Sequence, residues 1–152
     1  MRDTPGVIAK PPFIYLGFIA LGAAADFAWP APFLPLGAQL AAGFLLIAAG
    51  VALAAACLRQ LHRAGTTHKV EEATTRIVTE GPYRLSRNPI YVGLASIHAG
   101  VGLAADSPWI LAGLPPALLV IRWGVIAREE AYLERKFGEA YLAYKATARR
   151  WI

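Results

Sequence analysis

Leu36–Leu58 reads LGAQLAAGFLLIAAGVALAAACL, an uninterrupted apolar run with no acidic or basic side chain. The hydrocarbon core of a bilayer is about 30 Å thick and an α-helix rises about 1.5 Å per residue, so about 20 apolar residues make one crossing. This stretch therefore reads as a transmembrane helix, and its many Ala and Gly residues let neighbouring helices approach closely in lipid. On its N-terminal side lies Phe13–Trp29 (FIYLGFIALGAAADFAW), a slightly shorter span whose one charge is Asp26. The intervening PAPFLP, Pro30–Pro35, breaks any helix and makes a tight turn.

On the C-terminal side, Ile90–Ala105 and Pro108–Ile126 form a second apolar pair, divided by Asp106-Ser107-Pro108. Asp106 or Ser107 can cap the following helix, with proline in its first turn. Pro115-Pro116 predicts a kink in the fourth span, and Arg122 lies near its far end, able to reach the interface or a cofactor region. The expected fold is all-α: a polytopic membrane protein of about four transmembrane helices, with a cytoplasmic loop and a C-terminal interfacial helix. A soluble helical bundle is the alternative, but four runs of near-membrane length leave little chain for a polar shell. One domain over residues 1–152 is expected, with two N-terminal spans in 1–58 and the loop, hairpin and last helix in 59–152.

Composition agrees. The chain has 152 residues, 57% hydrophobic and 16% charged, against about a quarter charged in ordinary soluble domains. That apolar content excludes a disordered coil. The single Cys57 excludes an internal disulfide framework, and no Cys/His cluster points to a metal. The formal charge is +5. Its placement reads as topology: the turns at Pro30–Pro35 and around Asp106 carry no Lys or Arg. Arg2 and Lys10 precede the first span, and Arg59, Arg63, Lys69, Arg76, Arg84 and Arg87 fill the central segment. Arg128, Arg135, Lys136, Lys145, Arg149 and Arg150 follow the last span. Cationic loops stay cytoplasmic, so an even number of spans puts both termini on that side. No basic stripe interleaved with aromatics suggests nucleic acid. The N-terminus lacks a small-residue cleavage site, so the first span is expected to stay.

Two polar stretches remain. In His62–Asn88, Ile77-Val78 is a short apolar anchor and Glu80-Gly81-Pro82-Tyr83 has turn chemistry. Ser86 or Asn88 can cap a helix beginning near Pro89. Its N-terminus, beside Arg84 and Arg87, is either a seat for an anionic group or an ordinary helix cap with a positive-inside pair. In Ala127–Ile152, Tyr132, Leu133, Phe137, Tyr141 and Tyr144 recur every three or four residues, an aromatic stripe suited to the membrane interface. Glu129 and Glu130 are about 100° apart on a helix, so at most one is expected to point squarely into a site. Carboxylates suit vicinal ribose hydroxyls or an α-amino group.

The ordered set Gly81-Pro82-Tyr83-Arg84, Ser86-Arg87-Asn88-Pro89-x-Tyr91-x-Gly93, Glu129-Glu130-x-x-Leu133 and Phe137-Gly138-x-x-Tyr141-x-x-Tyr144 resembles an integral-membrane methyltransferase family. That family contains the isoprenylcysteine carboxyl methyltransferases and the phospholipid N-methyltransferases. The resemblance covers roughly Gly65 to Ile152. It implies S-adenosylmethionine in a cytoplasm-facing pocket, between the loop before the hairpin and the helix after it, with S-adenosylhomocysteine as product. By the same resemblance Gly81, Pro82 and Tyr83 lie along the cofactor, and His68, Val78 and Pro89 belong to its surroundings. Arg87 and Asn88, the candidate catalytic pair, contact it or order the pocket. Tyr91 and Gly93 shape it, and Glu129 and Glu130 hold its polar groups. The carboxyl methyltransferases have His where this chain has Asn88. Asn does not titrate near neutral pH, so neither a proton-handling role there nor a prenylcysteine substrate is implied.

The implied substrate is a membrane lipid or lipophilic small molecule, methylated on a carboxylate oxygen, an amine nitrogen or a thiol sulfur. No convincing base stands out: His62 and His68 are loop histidines. His98 in the third span is a functional candidate or a hydrogen-bond partner for a neighbouring helix. Asp26 is expected to face the bundle interior or lie near the far end of its span. The competing class is a non-catalytic four-span scaffold or transporter subunit.

Overall fold

The computed structural model describes residues 4–66 and 74–152. These form helices α1 (Pro11–Ala28), α2 (Leu36–Arg63), α3 (Pro89–Ala104), α4 (Pro108–Ala112), α5 (Leu114–Ile121), α6 (Ala127–Phe137) and α7 (Glu139–Thr147). A 3-10 turn occupies Gly81–Arg84, and a π-turn at Arg122–Ile126 joins α5 to α6. No strand occurs among the described residues, where an isolated parallel bridge joins Ser86 to Arg149. Proline opens α1, α3 and α4, where its missing N–H costs no helical bond.

Three helical stretches, Pro11–Ala28, Leu36–Arg63 and Pro108–Phe137, are long and apolar enough to cross a bilayer. The fourth expected span, α3, has only 16 residues. It lies among the other helices, with Tyr91, Gly93, His98, Gly100 and Gly102 buried, so lipid thickness sets its length less strictly. The stretch Pro108–Phe137, at 30 residues, is about 45 Å long and exceeds the hydrocarbon core. Its polar last part, α6, projects beyond the span that ends at Ile126.

Glycines let α2 and α3 touch backbone to backbone. A Cβ on Gly50 would stand 2.5 Å from the Gly93 carbonyl oxygen, and one on Gly100 would stand 2.7 Å from that of Gly43. Ser96 Oγ donates to the Leu46 carbonyl across the same seam at 2.8 Å. His98 is fully buried and bonds the Ile110 carbonyl on α4 through Nε2 at 2.9 Å, edge-on to Tyr15. It ties helices together. Tyr15 donates in turn to the Tyr91 carbonyl at 3.2 Å, so α1, α3 and α4 are stitched at one level.

At the end of the bundle that lacks Lys and Arg, Ser107 caps α4, its Oγ accepting from Ile110 N at 3.2 Å. Asp106 does a different job: with φ at 50°, its carboxylate accepts from the backbone N–H groups of Phe33 and Leu34 at 3.1 and 3.0 Å. One turn thereby anchors the other. In place of a kink at Pro115-Pro116 the helix breaks two residues earlier, at Gly113, because the proline rings clash with a preceding turn and sit comfortably only at the start of α5. The π-turn has no counterpart in the sequence reading. It adds a residue to one turn, rotating α6 by about 100° relative to α5.

Two further expectations change. Neither Ser86 nor Asn88 caps α3 with its side chain; Ser86 Oγ accepts instead from the Asn88 backbone N–H at 3.1 Å. The aromatic stripe turns inward: Tyr132, Tyr141 and Tyr144 are all buried. Gly138, at φ 52°, breaks the helix so that α7 folds back, and Tyr141, Tyr144 and Ala148 pack with Ile77, Leu133 and Phe137.

Candidate functional site

The loop, α6 and α7 meet at the basic end of the bundle and leave a cleft there. Gly81, at φ 58°, opens the 3-10 turn that buries Tyr83, and Gln60 at the end of α2 donates to Glu80 at 3.2 Å. The hydroxyl of Tyr144 on α7 closes the arrangement by donating to the Tyr83 carbonyl at 2.7 Å. The cleft between these elements holds about 880 Å³ of empty space, including its open mouth.

Eight of the sequence-predicted residues line this cleft: Val78 and Tyr83 from the loop; Arg87, Asn88, Pro89 and Tyr91 around the start of α3; Glu129 and Glu130 on α6. Gly81 and Pro82 lie off the lining and build the turn, the Pro82 carbonyl accepting from Leu85 and Ser86. Gly93 also lies off it, packed against Gly50. Arg84 is exposed, so of the two arginines only Arg87 enters the cleft. His68 lies outside the described residues, and His62 is exposed at the end of α2.

Both glutamates reach the cleft, against the expectation that only one would. α6 runs along its edge, so the 100° splay is met by partners on two sides. Glu130, 6% exposed, is clamped by two arginines. Arg150 donates to it through Nε at 3.1 Å and Nη2 at 2.7 Å, and Arg87 Nη2 lies 3.2 Å away. The paired geometry is the bidentate fork that suits guanidinium and carboxylate. Arg87, with its side chain 8% exposed, spends one nitrogen on Glu130. Its Nε and Nη1 are buried without a partner.

Glu129 has a different environment. Tyr91 donates to both its oxygens, at 2.8 and 2.9 Å. Burial, with a smaller push from neighbouring Glu130 and against the Tyr91 hydrogen bond, raises its carboxyl to about 7. The cleft thus presents a carboxylate paired to two arginines, one that titrates near neutrality, and a guanidinium with two nitrogens unpartnered.

The tail after α7 braces the cleft from behind without lining it. Arg87 N donates to the Arg149 carbonyl and Asn88 Nδ2 to the Arg150 carbonyl, both at 2.8 Å. Asn88 therefore spends its amide on chain architecture. Sequence reasoning treated Arg149 and Arg150 only as topology charges and did not single out Thr74, Arg76 or Leu61 as lining residues. Arg76, beside the Ile77-Val78 anchor, offered a charge as a clue; Arg150 offered nothing local, because its partner is 20 residues away.

Among the described residues no group of three or more His, Cys, Asp or Glu is placed to hold a metal. A family model for phospholipid methyltransferases matches residues 38–140. An uncharacterized protein of Haemophilus influenzae is 57% identical over 35 residues, covering 23% of this chain and 56% of that protein. The chain thus spans about half the length of this curated relative. No solved structure matches the chain.

Proposed function

Since the chain belongs to the phospholipid methyltransferase family, we propose that it transfers a methyl group from S-adenosylmethionine to a lipophilic acceptor drawn from the membrane. The observation that carries this reading is the convergence of Glu129, Glu130 and the two unpartnered nitrogens of Arg87 on one cleft. A nucleoside amino acid needs anionic partners for its ammonium or ribose hydroxyls and a cationic partner for its carboxylate, and this donor set supplies both. Glu129 holds the ammonium or ribose, Arg87 the carboxylate, and Val78, Tyr83 and Pro89 flank the nucleoside. Asn88 and Glu130 order the pocket rather than touch the reacting atoms. A non-catalytic bundle accounts for the helices but has no use for half-satisfied buried charge at its end.

When bound, the cofactor supplies a methyl on a sulfonium sulfur, displaced in line by a lone pair of the acceptor to leave S-adenosylhomocysteine. The chain contributes position and dryness: its helices exclude water, and its fixed charges hold the donor still while the acceptor arrives laterally. The basic end faces the cytoplasm in this reading, with both termini, so cofactor enters from the cytosol.

Calorimetry of the detergent-solubilised protein with S-adenosylhomocysteine tests this directly. Binding is expected, and no heat at millimolar ligand rejects the enzyme reading. Glu129→Ala is expected to weaken binding about ten- to a hundredfold, the worth of a charged hydrogen bond, with little change in melting temperature. The pH dependence has a definite sign. Glu129 takes up a proton as pH falls through about 7, and the neutral acid no longer attracts an ammonium. Affinity should therefore drop about tenfold from pH 8 to pH 6, following the ionised fraction. In Glu129→Gln the slope should vanish; an identical slope there removes Glu129 from the site.

A further inference from the structure

Pro5 lines the cleft together with Tyr91, Glu129 and Glu130, although it belongs to the stretch before α1. Three contacts hold this stretch against the helical run that carries the glutamates. Ile8 N donates to the Gly124 carbonyl in the π-turn at 3.2 Å. The Ile8 side chain lies on Gly124 itself: a Cβ there would stand 2.3 Å from Ile8 Cδ1 and 2.8 Å from Cγ1, so glycine leaves the side chain its seat. Arg128 Nη1 donates to the Gly6 carbonyl at 2.8 Å, across 122 positions of sequence. Gly6, at φ 62°, supplies the bend between Pro5 and Val7, and Val7 packs on the core cluster that holds Tyr91 and Val125.

The seat is specific but its grip is light. Ile8 is 55% exposed, and Arg128 is exposed as well. Segments with few buried contacts open locally, at far lower cost than unfolding the whole chain. This one therefore opens and recloses while the helices beneath it stay folded. Opening takes Pro5 out of the cleft wall, and reclosing restores it. Arg128 is next to Glu129 in the chain, so the strap is fastened beside the carboxylate that titrates near neutrality.

We propose that Pro5–Ile8 is a strap on the cleft: docked on Gly124 and Arg128 it retains a bound ligand, and its release sets how fast that ligand leaves. The identity of the ligand rests on the function proposed above; the docked strap rests on the three contacts. Ile8 and Arg128 are positioning residues, since neither lines the cleft and both act by keeping Pro5 in its wall. Release of radiolabelled S-adenosylhomocysteine from the detergent-solubilised protein is followed in excess unlabelled ligand. Ile8→Ala and Arg128→Gln should each speed release about fivefold, the worth of one modest contact. Association should change by less than about twofold, and the melting temperature of the ligand-free protein should stay within about 3 °C of the parent's. Arg128→Lys, which keeps a donor for the Gly6 carbonyl, should release ligand within about twofold of the parent.

Amide hydrogen exchange at Ile8 gives a second reading that needs no ligand. In the parent the bond to Gly124 should slow exchange at least about tenfold relative to an unstructured chain, and Ile8→Ala and Arg128→Gln should lose most of that protection. Release rates within about twofold of the parent in both variants overturn the strap. So does an Ile8 amide that exchanges in the parent as fast as in an unstructured chain. If the parent protects Ile8 but binds no S-adenosylhomocysteine, the methyltransferase reading fails, and with it the strap's role toward that ligand, while its docking stands.

Discussion

Glu130→Ala is expected to lower stability by about 3 kcal/mol, the low end of the range for breaking a buried ion pair. The reason is what the substitution strands. Arg87, with its side chain 8% exposed, would lose its one anionic partner while its other two nitrogens are already unpartnered. Arg150, about one-third exposed, can return to water, which keeps the loss from being larger. Once Arg150 is released, the tail keeps its bonds to Ser86, Arg87 and Asn88 and the packing of Trp151, but loses its one ionic tie to α6. The cleft wall should loosen, and affinity for S-adenosylhomocysteine should fall at least about a hundredfold. Differential scanning fluorimetry in detergent should show a drop of about 6–12 °C, and Arg150→Ala, at the exposed end of the pair, should cost markedly less. A melting temperature equal to the parent's in Glu130→Ala would mean that the double-arginine clamp does not exist in solution. This separates the adjacent glutamates: removing Glu129 costs binding, and removing Glu130 costs the scaffold first.

Gly50→Ala should be nearly as damaging, although it adds one methyl group. The new Cβ would stand 2.5 Å from the Gly93 carbonyl oxygen and 3.0 Å from the Ile97 nitrogen, both backbone atoms of α3 that no rotamer change can move. The two helices must separate, at a cost of about 3 kcal/mol, the upper part of the usual overpacking range. Separation also shifts Tyr91 away from Glu129, so ligand affinity should fall with stability. Gly17→Ala is the control. A Cβ at Gly17 has nothing within 4 Å, so the same change should be neutral or stabilising by about 0.5–1 kcal/mol through helix propensity alone. Equal melting temperatures for the two variants would show that α2 and α3 are not packed backbone to backbone.

The pattern of readable and unreadable features follows from range. Leu36–Leu58 declares a long apolar helix because hydrophobic length is a property of consecutive residues, and α2 indeed covers Leu36–Arg63. Asp106-Ser107-Pro108 declares a helix start for the same reason, and Ser107 takes the cap. The spacing of Tyr132, Tyr141 and Tyr144 was also legible, but their direction was not. A stripe facing lipid and a stripe facing a cleft have one periodicity, and Gly138 decides between them by turning α7 back.

The sequence by itself therefore determined the apolar helices, the breaks between them and the two polar segments in which the candidate residues lie. Tertiary structure alone decided that both glutamates face one cleft, since that requires partners on two sides of α6, Tyr91 for Glu129 and the two arginines for Glu130. It alone turned Arg150 from a topology charge into the clamp on Glu130, and Gly93 from a pocket residue into a packing contact. The physical reason is common to all three. Burial and turn chemistry act between near neighbours along the chain, whereas an ion pair or a helix contact is fixed by where distant backbones cross, which no local period records.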